Sequence, residues 1–122
     1  MIKRTPAVML AVWFVFVALE GAQHLHSEKW YRDKWRLING GVAETMLPDK
    51  TRCDILTATH AIEVEFAEKW TDAIGQSLFY AMQTGKKAGI VLIVETPADY
   101  KFWIRLNSTI MNFKLPIEAW KY

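Results

Sequence analysis

Residues 52–66 read Arg52-Cys53-Asp54-Ile55-Leu56-Thr57-Ala58-Thr59-His60-Ala61-Ile62-Glu63-Val64-Glu65-Phe66. Two apolar, β-branched runs flank the polar step Thr57–His60, the pattern of two strands joined by a tight connection. Successive side chains of a strand point to opposite faces. Ile62, Val64 and Phe66 therefore share an apolar face, and Glu63 and Glu65 point together to the other. Two carboxylates on an otherwise apolar strand are costly unless solvated, paired or bound to a cation. Asp54 lies on the preceding strand between Cys53 and Ile55, which face the core, and the tight connection brings it opposite the glutamates. Three acids on neighbouring strands make an oxygen-ligand set suited to Mg2+ or Mn2+.

Upstream, Ser27 caps a helix whose expected buried stripe is Tyr31, Trp35 and Ile38, with Trp30 and Leu37 beside it. Asn39-Gly40-Gly41 closes that helix, because glycine accepts the left-handed conformation at a helix end. Val42–Leu47 alternates as a strand, and Pro48-Asp49-Lys50 is a turn before the strand Arg52–Thr57. With Ala61–Phe66 these strands predict an antiparallel meander. Downstream, a helix spans Glu68–Thr84 up to Gly85, with Trp70, Ile74, Leu78 and Met82 or Ala81 as its expected buried stripe. Ile90–Val94 is a continuous apolar run, the signature of a strand covered on both faces. Thr96-Pro97 opens a third helix running to about Phe113, and Leu115–Trp120 suits a last short strand. The order α-β-β-β-α-β-α-β predicts an α/β fold, a mixed sheet flanked by helices.

At 122 residues, 52% hydrophobic and 23% charged, the chain is expected to fold as one globular domain. The single Cys53 excludes an internal disulfide and a cysteine zinc cluster and suits a small buried position. Lys3 and Arg4, the apolar run Ala7–Leu19 and the small residues after it read as a signal peptide over residues 1–22. If retained, that stretch would be a weak N-terminal anchor, since a spanning helix needs about 20 apolar residues. The folded part is then 23–122 and the protein is expected to be exported, periplasmic or secreted. Removing residues 1–22 takes away Lys3, Arg4 and Glu20 and leaves a net charge of about +1. That excludes a strongly basic nucleic-acid footprint but not a local patch from Lys50, Arg52, Lys86 and Lys87. Gly85-Lys86-Lys87 lacks the spacing of a phosphate loop.

The helix after the acids carries Lys69, Ala73, Gln76 and Tyr80 at i, i+4, i+7 and i+11, one face distinct from the expected apolar stripe. An ammonium, an amide and a phenol on that face suit a phosphate and a water. The element order, Asp54, Glu63 and Glu65 nine and eleven residues on, and Gln76-Ser77-Leu78-Phe79-Tyr80 together resemble the PD-(D/E)xK nuclease-like superfamily, nearest to its RecB-like branch. The similarity runs from about Ser27 onward. It implies a restriction-endonuclease-like αβββαβ core in which acids hold a divalent metal that activates water for phosphodiester cleavage. By resemblance Asp54 and Glu63 are metal ligands, Glu65 a second ligand or general base, and Glu28 and Glu44 accessory acids. Lys69 would stabilise developing negative charge, with Gln76 and Tyr80 positioning the substrate, DNA more than RNA. One departure stands out: the position two after Glu63 is Glu65, where the family usually has lysine, and Lys69 is the nearest replacement.

Bland alternatives exist for each feature. The acids could form a solvated strand face paired with Lys or Arg, and Lys69, Gln76 and Tyr80 the polar side of an amphipathic helix. Glu28 and Glu44 could be surface residues, His24 and His26 a flexible lead-in, and His60 a turn residue close to the acids. Trp103 and Trp120 fit an interface or the core equally. The leading expectation is an exported Mg2+- or Mn2+-dependent nuclease. A catalytically inactive nuclease-fold binding protein and a small-phosphoester hydrolase are the alternatives. Salt bridges from Lys69 and Arg52 across the acids would favour the binding protein.

Overall fold

The computed structural model describes residues 24–122; the expected leader, residues 1–22, lies outside the described residues. Helix α1 is Glu28–Asn39, followed by strands β1 (Val42–Met46), β2 (Arg52–Leu56) and β3 (His60–Phe66). A 3-10 turn, Ala67–Lys69, leads into α2 (Trp70–Thr84), then β4 (Lys87–Ile93). A second 3-10 turn, Pro97–Asp99, opens α3 (Tyr100–Phe113), and β5 is Ile117–Lys121. The expected α/β class and element order are those of the structure. Among the described residues no helix is long and apolar enough to cross a membrane.

The five strands form one mixed sheet in sequential order. β1, β2 and β3 are antiparallel, the expected meander. β4 runs parallel to β3, and β5 parallel to β4, each joined by a helical crossover. Two crossovers of the usual right hand, both stepping the same way across the sheet, place their helices on one face. α2 and α3 accordingly cover one side with Ala67, Ala73, Ile90, Leu92 and Leu106, and α1 covers the other with Tyr31, Trp35, Ile62, Val64, Val91 and Ile93. β4 is buried from Ala88 to Ile93 on both faces, as its uninterrupted apolar run requires.

Two expected stripes are corrected. In α1 the buried residues are Tyr31, Arg32 and Trp35, while Ile38 and Leu37 are 79% and 78% exposed. Tyr31 and Arg32 are anchored to acids on other elements, and the last turn of α1 stands over an open cleft. In α2 the fully covered side is Ala73, Ser77 and Tyr80; Trp70, Ile74 and Leu78 are half-buried and Met82 is exposed. Small Ala73 and Ser77 let the helix lie close on the sheet, and Trp70 and Ile74 fill the seam toward α3.

Candidate acidic site

β2 and β3 are paired only at Ile55–Ile62 and Leu56–Ala61. Beyond that point Asp54 takes over a ladder position: its Oδ2 accepts the Val64 backbone N–H at 2.8 Å. The alternation of β2 also breaks there. Ile55 joins the α1-side cluster, whereas Cys53 packs with Leu47, Ala61 and Tyr80 on the α2 side. Such a local irregularity re-aims one side chain, and here the side chain is a carboxylate. On β1, between the pairs Ala43–Ile55 and Thr45–Cys53, Glu44 stands opposite Asp54 with a φ of 49°. A non-glycine residue in the left-handed region of a strand costs on the order of 1–3 kcal/mol and persists only where its surroundings hold it. Buried Arg32 does so, Nη1 donating to Glu44 Oε1 at 2.8 Å and Nη2 to Asp33 Oδ1 at 3.0 Å. Arg32 also acts on Asp54 through its charge.

Glu63 and Glu65 share the α2 side of β3, as alternation predicts, opposite Ile90 and Leu92 of β4. Glu63 is 3% exposed and Glu65 6%. Glu63 is pushed up to about 10, first by burial, then by the charge of Asp54 and a shared hydrogen bond with it. Burial likewise raises Asp54. As a carboxylate, Glu63 leaves Oε2 buried with no hydrogen-bond donor. Glu28, at the first turn of α1, forms the second acid pair: burial and the neighbouring Glu65 push it up to about 8. Glu65, also raised by burial, accepts from Glu28 and, through Oε1, from the Phe66 N–H at 3.1 Å. The arrangement is two pairs of mutually raised acids, Glu63 with Asp54 and Glu28 with Glu65, within Coulombic reach of one another.

The helix face expected apart from the buried stripe is corrected: Ala73 and Tyr80 lie on the buried side of α2. Tyr80 is buried, donates to Gln76 Oε1 at 3.3 Å and is raised by burial and then by Glu63 and Asp54. Gln76 is exposed, and Lys69, on the 3-10 turn, is exposed but close enough for its charge to favour the ionised forms of Glu28 and Glu65. Among the described residues no Lys or Arg forms an ion pair with Glu28, Asp54, Glu63 or Glu65; Arg52 reaches only Glu44, at 3.9 Å. Glu28 is therefore a member of the cluster, and Glu44 is its half-exposed, Arg32-bound neighbour.

In chemistry the donor set fits a hard divalent cation: oxygen ligands only, crowded negative charge, one buried oxygen without a partner. In placement, among the described residues no three His, Cys, Asp or Glu side chains stand close enough to share one ion.

Three features had no clear signal in the sequence. Arg32 reads there as one more charge on an amphipathic helix. His60, expected in the turn, opens β3 instead, and its Nε2 meets Glu118 Oε2 at 2.7 Å. The lead-in is held rather than loose. His24 Nδ1 and Nε2 contact Glu95 and Glu68 at 2.5 and 2.7 Å, and its ring stacks on Phe66 at 3.5 Å. Glu95 Oε2 also accepts from the Leu25 N–H at 2.7 Å and the Tyr31 hydroxyl at 2.6 Å. Trp120 packs against the α1-side core and Trp103 against the other, so both serve the core.

No family model, curated protein or solved structure matches the chain.

Proposed function

We propose that this protein is a metal-dependent phosphodiester hydrolase of the PD-(D/E)xK nuclease-like kind, exported and acting on DNA. One observation carries the reading: Glu28, Asp54, Glu63 and Glu65 are gathered where β2 and β3 part, with no ion pair to a Lys or Arg among the described residues and the Glu63 Oε2 buried unpartnered. A structural acid cluster would be neutralised by basic side chains, because unpaired buried charge is costly. The αβββαβ order and the mixed sheet are those that the resemblance implies, and they support it.

By the resemblance, Asp54, Glu63 and Glu65 would hold Mg2+ or Mn2+, with Glu28 beside them, and their side chains would have to draw together to do so, since no three of them stand close enough to share one ion. When bound, the ion would polarise a phosphoryl oxygen and lower the pKa of water. The chain's own contribution is positional and electrostatic. Val64 N–H fixes the Asp54 carboxylate, and Arg32 with Glu44 holds β1 against it. Glu65, anchored by the Phe66 N–H, would serve as the second ligand or as the general base. Lys69 at the rim meets a phosphate, and Gln76, gripped by the Tyr80 hydroxyl, lies along the substrate path.

The test is cleavage of plasmid and single-stranded DNA by the full chain in Mg2+ or Mn2+, against Asp54→Asn, Glu63→Gln and Glu65→Gln. Cleavage that needs metal and falls at least about a hundredfold in each variant is expected. Metal binding without cleavage would favour the inactive binding protein. Absence of both binding and cleavage refutes the proposal.

A further inference from the structure

On the α1 face of the sheet, near the start of β3, lies a cleft of about 810 Å³. Small-molecule sites commonly measure about 300–1,000 Å³. It opens between the last turn of α1, the β2–β3 connection and β5, with Trp35, Ile62 and Trp120 along one wall and His60 and Lys86 among its polar groups. The acids of β3 point to the opposite face, so this is a separate place on the molecule.

Its polar and aromatic groups are held in position. Trp35 and Trp120 meet at 5.6 Å between ring centroids, and the His60 ring stands edge-on to Trp120 at 5.3 Å. His60 is fixed at both nitrogens, to Thr59 Oγ1 and Glu118 Oε2, each at 2.7 Å. Gly89 makes room for the indole: a Cβ there would stand 2.8 Å from Trp120 Cζ3 and 3.0 Å from Ile62 Cγ1. A glycine in the middle of a central strand weakens it, and close approach of another group is the usual reason for one. Lys86 Nζ donates to the carbonyls of Thr57 and Ala58 at 2.7 and 3.1 Å. An ammonium has three donors, so one is left over. Those carbonyls orient the charge without cancelling it, and among the described residues no carboxylate pairs with Lys86. Glu118 is engaged by His60 instead.

We propose that this cleft binds a small planar aromatic ligand carrying an anionic group, the chemistry of a nucleoside monophosphate. The ring lies against the Trp120 side of the cleft and the anion meets Lys86. Aromatic faces attract flat heterocycles without reading their edges, and a charge-assisted bond to a fixed ammonium selects the anion. The site does not depend on the acidic cluster or on hydrolysis there. Two sources share the chemistry, a free nucleotide and the 5′-phosphorylated end of a strand.

The probe is AMP, titrated into the full chain by calorimetry and by tryptophan fluorescence. Adenosine, inorganic phosphate and a 5′-phosphorylated oligonucleotide are the comparison ligands. Saturable AMP binding is expected, with adenosine and phosphate each at least about tenfold weaker. Lys86→Ala should weaken AMP about tenfold and leave adenosine unchanged, and Lys86→Arg should restore most of it. Trp120→Phe should weaken AMP and adenosine alike; the Lys86 pair keeps the test decisive if that variant fails to fold. Glu63→Gln should bind AMP like the wild type. Competition by the oligonucleotide assigns the strand end as the source, and its failure to compete assigns the free nucleotide; either supports the site. No AMP binding, binding indifferent to Lys86→Ala, or binding lost in Glu63→Gln overturns it.

Discussion

At Glu63 the side chain is 3% exposed and lies beside the Asp54 carboxyl, and both burial and that neighbour favour its keeping a proton. The folded state holds that proton up to about 10, and Glu28 holds its own up to about 8, whereas an ordinary glutamate releases it near 4.5. A carboxyl raised in the fold contributes stability fully present below the unfolded value and lost as pH rises through the folded value. The urea midpoint of the metal-free protein is therefore expected to fall between about pH 5 and 9, less steeply in Glu63→Gln, whose amide needs no proton. A midpoint that rises with pH over that range contradicts the account. His24 gives a second window. Burial pulls its pKa down, but the Glu95 and Glu68 carboxylates outweigh that and raise it above 6.5. Glu95, which burial alone would raise, is lowered below 4.5 by the Tyr31 hydroxyl, His24 and the Leu25 N–H. The His24 contribution is complete below 6.5 and fades as pH rises through its raised value; the Glu95 contribution is lost only as pH falls below 4.5. The clasp is thus tightest between those two values. NMR titration of His24 should show a pKa above 6.5 that drops in Glu95→Gln, and an unchanged value there would show that Glu95 does not hold the ring.

Among the elements, β4 and α2 show two different demands on glycine. Gly85 ends α2 at a φ of 67° with its N–H on the Ala81 carbonyl and nothing within 4 Å of a would-be Cβ. Gly85→Ala is expected to cost about 1–2 kcal/mol, all of it conformational. Gly89 sits in a strand with an ordinary φ, and there the obstacle is Trp120. Gly89→Ala is expected to cost about 1–3 kcal/mol through displaced packing. Urea unfolding separates the two causes: Gly85→Asn should recover part of the loss, because asparagine tolerates the left-handed region, while a smaller residue than Trp at 120 should relieve only Gly89→Ala. The chain announces Gly85 by its place after a periodic apolar run. It announces Gly89 only as a break in a β-branched strand. The helix boundaries were legible for the same reason, since caps and glycines act locally. Which side of α1 and α2 meets the sheet was not, because Arg32–Glu44 and the small pair Ala73 and Ser77 decide it through contacts remote in sequence.

For the molecule as a whole, a divalent ion should compete with protons for the same carboxylates. Mn2+ or Mg2+ is expected to raise the thermal midpoint more at about pH 8 than at pH 5, a hundredfold excess over Kd being worth about 2.7 kcal/mol of stability, and Glu63→Gln should abolish most of the rise. An equal rise at both values would place the ion away from the cluster. From the residues alone follow the α/β class, the meander, the central strand, the common face of Glu63 and Glu65 and the proximity of Asp54, because period-two alternation and turn chemistry are local rules. The helical face bearing Lys69, Gln76 and Tyr80 follows from helix periodicity in the same way. Only the tertiary structure decided that the acids are buried against one another, that Glu28 joins them from α1, that His24 is clasped and that a cleft opens beside Trp120. Each of these depends on side chains brought together from distant segments, at separations set by how β2 parts from β3 and how α1 lies on the sheet. Burial then fixes their charge states, and burial is a property of the assembled fold.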